Sequence, residues 1–189
     1  NYSPLIYARD CENIAITGPG AIDGNGKKWW TWEERQQPSA YKMYEEQVLK
    51  DVPVEERVYG TPEAGFRPQL ISPINCENVL LEGFSIIEPG PFWTIHFVYC
   101  NRVIARDLRI LTTGGPNTDG LNVDSSKNVL IEYCFFDTGD DCICMKSGIN
   151  EDGWRVGKST ENVVVRYNRT NRGHGGIVFG SDTSGGIRN

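Results

Sequence analysis

Four side chains able to move protons sit in three short clusters rich in glycine: Asp119 in "GGPNTDG" (114–120), Asp140 and Asp141 in "TGDDC" (138–142), and His174 in "RGHGG" (172–176). Each cluster alone reads as a polar turn, because Asn, Asp and Gly are the common turn residues. Gathered in one place they would do more. Neighbouring carboxylates raise one another's proton affinity, so one stays protonated while another is ionised, and a single site gains an acid and a base. Hydrolysis of a glycosidic bond needs that division of labour. Calcium bound by several aspartates and backbone oxygens is the competing reading, and the lone histidine fits it less well.

The adjacent like charges at Asp140 and Asp141 raise a geometric question. Consecutive strand residues point to opposite faces. For both to reach one cleft, the backbone must bend at Gly139, or the pair must lie in a turn or bulge.

The elements that would gather these clusters are visible as a repeat. "CENIAITG" (11–18), "CENVLLEG" (76–83), "CNRVIARD" (100–107), "SKNVLIEY" (126–133) and "TENVVVRY" (160–167) each pair a polar triplet with an alternating, β-branched run. Their third residues, Asn13, Asn78, Arg102, Asn128 and Asn162, are 65, 24, 26 and 34 positions apart. A period in the twenties marks a solenoid, in which each unit buries its apolar face only by stacking on the next. The expected fold is all-β, a parallel β-helix. Stacking would set Asp119, 22 residues before Asp141, about 4.8 Å away on the neighbouring coil, with His174 one coil further on. The dense leucine signature of leucine-rich repeats is absent, and asparagines at one turn position predict a ladder bonding the backbone of neighbouring turns.

The whole chain, 1–189, is expected to be one β-helix domain, with insertions at about 27–66 and 149–158. The first reads as a long loop containing a short helix, of the kind that walls a binding site. The second reads in isolation as a solvated hairpin. Cys11, Cys76 and Cys100 share one repeat position, which predicts buried free thiols, although six cysteines leave disulfides open and Cys142 and Cys144 form a C-x-C. A net charge of −6 argues against nucleic acid as a partner. No apolar run is long enough for a membrane span, and the first residues lack a signal-peptide pattern.

The motifs "NTDG" (117–120), "GDDC" (139–142) and "GHGG" (173–176) resemble, in order and spacing, those of the polygalacturonases of glycoside hydrolase family 28. "IDGNGKKWW" (22–30), "PFWTIH" (91–96), "KSG" (146–148) and "GSDTSGGIRN" (180–189) extend the likeness over nearly the whole chain. The resemblance implies a right-handed parallel β-helix that cleaves α-1,4-galacturonosyl linkages of pectin by inverting hydrolysis, with no cofactor and no metal. Asp140 would then be the general acid, Asp119 and Asp141 would activate the water, and His174 would orient an aspartate or the sugar. Lys146 and Arg155 would be candidates for recognising the galacturonate carboxylate, with His96 and Trp93 lining the groove.

The resemblance further implies an enzyme that is secreted or periplasmic, monomeric at full length, and acting on acidic pectic polysaccharide, and the insertions suggest release from chain ends. The family's Arg-x-Lys motif does not occur before Asn189, so the chain is expected to be a fragment, truncated at both ends. Three alternatives are a hydrolase of rhamnogalacturonan or another pectic backbone, a non-catalytic β-helix that binds polysaccharide, and a pectic lyase using calcium and elimination.

Overall fold

The protein is described by a computed structural model covering residues 2–189. Its strands form three parallel sheets wound around one core. Ile6–Arg9, Ile71–Ile74, Ile95–Val98, Leu121–Asp124, Ile143–Lys146 and Ile177–Phe179 stack in chain order as the cleft sheet. Glu12–Thr17, Glu77–Glu82, Asn101–Arg106, Lys127–Glu132, Thr160–Arg166 and Ile187–Arg188 form the back sheet. Ala21–Asp23, Ser85–Ile87, Arg109–Thr112, Phe135–Thr138 and Arg169–Thr170 form the third. Every coil therefore lays one strand on each sheet, and the expected parallel β-helix is the architecture.

The alternation in the sequence sets what lies inside. Val79, Val103 and Val129 are in register along the back sheet, as are Leu81, Ala105 and Ile131, and all are buried. Ile71, Ile95, Leu121 and Ile143 close the core from the cleft sheet, with Ile86, Ile110 and Phe136 from the third. Burying one apolar face per strand along a continuous stack holds coils that could not fold singly.

The turn into the back sheet explains the repeated asparagines. Asn13, Asn78, Arg102, Asn128 and Asn162 all have φ between 53° and 56°, the left-handed region that Asn tolerates better than most residues. Their side chains bond one another rather than the backbone, which corrects the expected ladder. Asn78 Nδ2 donates to Asn13 Oδ1 at 2.9 Å, Arg102 Nε to Asn78 Oδ1 at 2.5 Å, and Asn162 Nδ2 to Asn128 Oδ1 at 3.2 Å. Arg102 has no acceptor to offer, so Asn128 Nδ2 turns to Asn101 Oδ1 at 2.8 Å.

All six cysteines are free, and all but Cys11 are buried. Ser126 continues the cysteine position on the next coil, its hydroxyl accepting from the Cys100 N–H at 2.9 Å.

The insertions hold more helix than their composition suggests. The first contains α1 (Gln36–Leu49), 14 residues long, between two short 3-10 turns, Lys27–Trp32 and Val54–Glu56. The second is not a hairpin but a helix, α2 (Asn150–Val156), with Glu151 and Asp152 in its first turn, Arg155 in its last, and Gly157 closing it at φ 61°. Acids first and bases last favour a helix through its dipole, and a left-handed glycine ends one. Arg57 NH1 pairs with Asp152 Oδ2 at 2.8 Å, tying the first insertion to α2. No helix among the described residues is long and apolar enough to cross a membrane.

Candidate active site

The aspartates lie where the chain passes from the third sheet into the cleft sheet. Thr138 ends one strand and Ile143 begins the next, so Asp140 and Asp141 occupy the bend between them. Neither is bound by the alternation of a strand, which resolves the geometric question. Thr138 Oγ1 donates to Asp140 O at 2.6 Å, and the Asp141 N–H to Asp140 Oδ1 at 2.9 Å, fixing the bend locally. A Cβ on Gly139 would stand 2.5 Å from Thr118 Oγ1 and 2.9 Å from Gly114 N, so only glycine lets the two turns pack.

Backbone bonds set the three clusters on successive coils. The Gly120 N–H donates to Asp141 O at 2.8 Å, the Cys142 N–H to Gly175 O at 2.8 Å, and the His174 N–H to Asp140 O at 3.1 Å. Carboxylate oxygens of Asp119 and Asp141 and the Cys144 sulfur lie within 4.8 Å of one another, as do ligand atoms of Asp140, Asp141 and His174. His174 Nδ1 is 3.8 Å from Oδ1 of both Asp140 and Asp141. The expected gathering of Asp119, Asp140, Asp141 and His174 is what the structure contains.

Their environments differ sharply. Asp119 is 3% exposed, and burial, reinforced by Asp140 and Asp141, pushes its carboxyl up to about 7 against the opposing pull of Lys146. Asp141 is also raised, first by partial burial and then by Asp140, while His174 and Lys146 pull it back. His174 is not a core histidine, since its side chain is 85% exposed.

Lys146, Trp93 and His96 share the outer side of the cleft sheet or its edge. Lys146 Nζ donates to Gly180 O at 3.2 Å, stands 3.9 Å from Asp182 Oδ2, and sits 4.4 Å above the Trp93 ring. Trp93 stacks on Phe92 at 4.6 Å and meets His96 edge-on at 4.9 Å. His96 Nε2 is 3.2 Å from Asp124 Oδ2. Burial raises Asp124, but bonds from His96, Ser125 and the Gly148 N–H outweigh it and hold the carboxyl below the usual range. Arg155 is placed elsewhere: its guanidinium pairs with Asp152 of its own helix at 3.2 Å.

α1 and the segment that follows it bring further residues to this edge. An open cavity of about 650 Å³ is lined by Tyr41, Phe66, Arg67, Trp93, Ile149 and Asp182 among others. The available signal was the insertion at about 27–66 itself, which stretches one repeat step to 65 and returns the chain to the coil just before Arg67. As a metal site the cluster offers two donor sets, Asp119 with Asp141 and Cys144, and Asp140 with Asp141 and His174. Burial pushes the Cys144 thiol up to about 11, so a metal held there would have to displace its proton.

Acid groups assembled at the turns of a parallel β-helix define a class of protein in which stacking, rather than nearness in the chain, brings carboxylates and a histidine into one cluster. A family model described as "Glycosyl hydrolases family 28" matches residues 3–189, and the chain belongs to that family. It is 30% identical to a probable polygalacturonase of Vitis vinifera over 99% of this chain and 33% of that protein. It is 28% identical to an exo-poly-alpha-D-galacturonosidase of Dickeya chrysanthemi over 93% of this chain and 31% of that one. A crystal structure of a hyperthermoactive exopolygalacturonase from Thermotoga maritima superposes with a TM-score of 0.93 at 44% identity, covering 100% of this chain and 45% of that chain. The chain thus spans about a third of the length of the curated relatives it matches.

Proposed function

We propose that the protein hydrolyses α-1,4-galacturonosyl linkages of polygalacturonate and pectin. The observation that carries this reading is the set Asp119, Asp140, Asp141 and His174 on successive coils, with one carboxyl held to about 7 and its neighbours differently exposed. Asp140 donates its proton to the leaving glycosidic oxygen as that bond breaks. A water held by Asp119 and Asp141 attacks the anomeric carbon and gives up a proton to Asp141. The open side of His174 lets it turn between the aspartates and the sugar.

Lys146, at the edge of the cavity, supplies a cation for a galacturonate carboxylate, and Trp93, with its faces taken by Phe92 and Lys146, holds that cation in place. Arg155, engaged with Asp152, has no part in this. The cavity that α1 walls, together with the names of relatives in Dickeya and Thermotoga, supports attack at a chain end. A cell-wall polymer as substrate supports action outside the cytoplasm.

The test is incubation of the full-length protein with polygalacturonate and, separately, rhamnogalacturonan. New reducing ends from polygalacturonate alone support the reading. Early release of one small product supports chain-end attack, and a ladder of oligomers rejects it. The first anomer formed, read by proton NMR, should be inverted. Unsaturated products lost on chelation would instead select the lyase.

A further inference from the structure

Arg67 is 2% exposed, yet its hydrogen bonds go to uncharged oxygens on three separate segments. Nε donates to Gln37 Oε1 of α1 at 3.0 Å, NH1 to Pro116 O at 2.8 Å and Pro91 O at 3.3 Å, and NH2 to Asn117 Oδ1 at 2.7 Å. The guanidinium also lies 4.9 Å over the Phe92 ring. Phe92 stacks on Trp93 at 21°, and Lys146 covers the far side of that pair. Two cations therefore enclose two stacked rings at the edge of the acid cluster.

A buried guanidinium stays charged, and a buried charge is tolerated only when its donors are met. Those bonds thus fix the geometry of the groups that accept them. The planar fork of Arg reaches acceptors in set directions, which the point charge of Lys does not reproduce. Asn117 is held at φ 55°, and two residues later the chain presents Asp119. Thr118, between them, is fully buried, its hydroxyl donating back to Gly114 O at 3.0 Å.

We propose that Arg67 is a positioning residue that locks the Pro116–Asn117 turn against α1 and so sets where the Asp119 carboxylate stands relative to Asp141. Its kinetic consequence rests on the hydrolase reading above. The lock itself does not.

The experiment uses the full-length protein with two variants. Asn117→Gly removes the acceptor while permitting the positive φ, and leaves Arg67 its other three acceptors. Arg67→Lys keeps the charge and loses the fork. Each should lower kcat by about 100-fold, the scale of a misplacement of about 1 Å, while KM changes by less than about threefold. Backbone amides of residues 117–120 should exchange at least about tenfold faster in both, with the core strand Leu121–Asp124 unchanged.

The double variant should be no slower than the worse single one, because both break the same lock. If Arg67→Lys fails to fold, Asn117→Gly carries the test alone. A folded Asn117→Gly protein with wild-type kcat overturns the proposal, whatever its exchange rates. Should the wild-type protein leave both pectic polymers untouched, the hydrolase reading fails, and faster or unchanged exchange at 117–120 decides the lock by itself.

Discussion

Asp119 and Asp141 occupy equivalent places on adjacent coils: the residue after Asp119 donates its N–H to Asp141 O at 2.8 Å, and the two carboxylates approach within 4.8 Å. Groups this close titrate as a unit. The Asp141 charge therefore adds to the burial that keeps a proton on Asp119.

That raised carboxyl makes stability depend on pH in a definite direction. Asp119 has an ordinary value of 3.8 and is held at about 7 in the folded protein, so the native state binds the extra proton between those limits. Stability is then complete below about 4 and falls as pH rises toward 7, by on the order of 4 kcal/mol at one and a third kcal/mol per pH unit of displacement. Asp119→Asn cannot ionise. It should be more stable than wild type at pH 8 and lose that advantage at pH 3, as read from denaturant midpoints. An equal difference at both pH values would reject the assignment.

Catalysis should fail on the same alkaline side. Above about 7 the cluster loses the proton that burial retained, and kcat/KM should fall with an apparent pKa near that value. Asp140→Asn should lower kcat by about 100- to 10,000-fold, the usual worth of a positioned acid, with little change in KM. A polysaccharide-binding β-helix without catalysis would show no such loss, so unchanged turnover in Asp140→Asn would remove the residue from the mechanism.

The strands were legible because their alternation is local, and the coil-to-coil contacts followed because a solenoid converts a repeat into neighbourhood. Asp119, Asp141 and His174 could thus be placed from their spacing. The insertions have no repeat to read. α2 was hidden because one turn-forming glycine-containing segment, "INEDGWRVGK", suits a hairpin as well as a helix, and its acids at the start and Gly157 at the end decided between them. Arg155 is a candidate for the substrate by its charge and its place beside the aspartates, and its helix pairs it with Asp152, three residues back. Arg67 gave no sign, since nothing in its local sequence points to four oxygens drawn from segments 24 to 50 residues away.

His174 separates chemistry from folding more cleanly than the aspartates do. Its side chain is 85% exposed and touches the cluster only at 3.8 Å. His174→Ala should leave the denaturant midpoint within about 0.5 kcal/mol of wild type, as for other exposed sites. Its kcat should drop roughly 10- to 100-fold, less than for the acid itself. A stability loss without a kinetic one would make His174 a structural residue.

The ladder on the opposite side of the solenoid offers a test of the fold alone. Asn128 sits at φ 56°, donates to Asn101 and accepts from Asn162. Asn128→Ala would lose both bonds and leave in the left-handed region a residue without the short polar side chain that makes it tolerable, which costs up to about 1–2 kcal/mol for the backbone in addition to about 1 kcal/mol for the hydrogen bonds. Asn128→Gly loses the bonds but not the conformation, so it should be the milder change although glycine is usually the worse residue within ordered structure. Chemical denaturation of the two variants gives the ranking directly, and kcat should stay at the wild-type value in both. Alanine proving the more stable would mean that the turn is held by coil packing alone and that its backbone angle carries no cost.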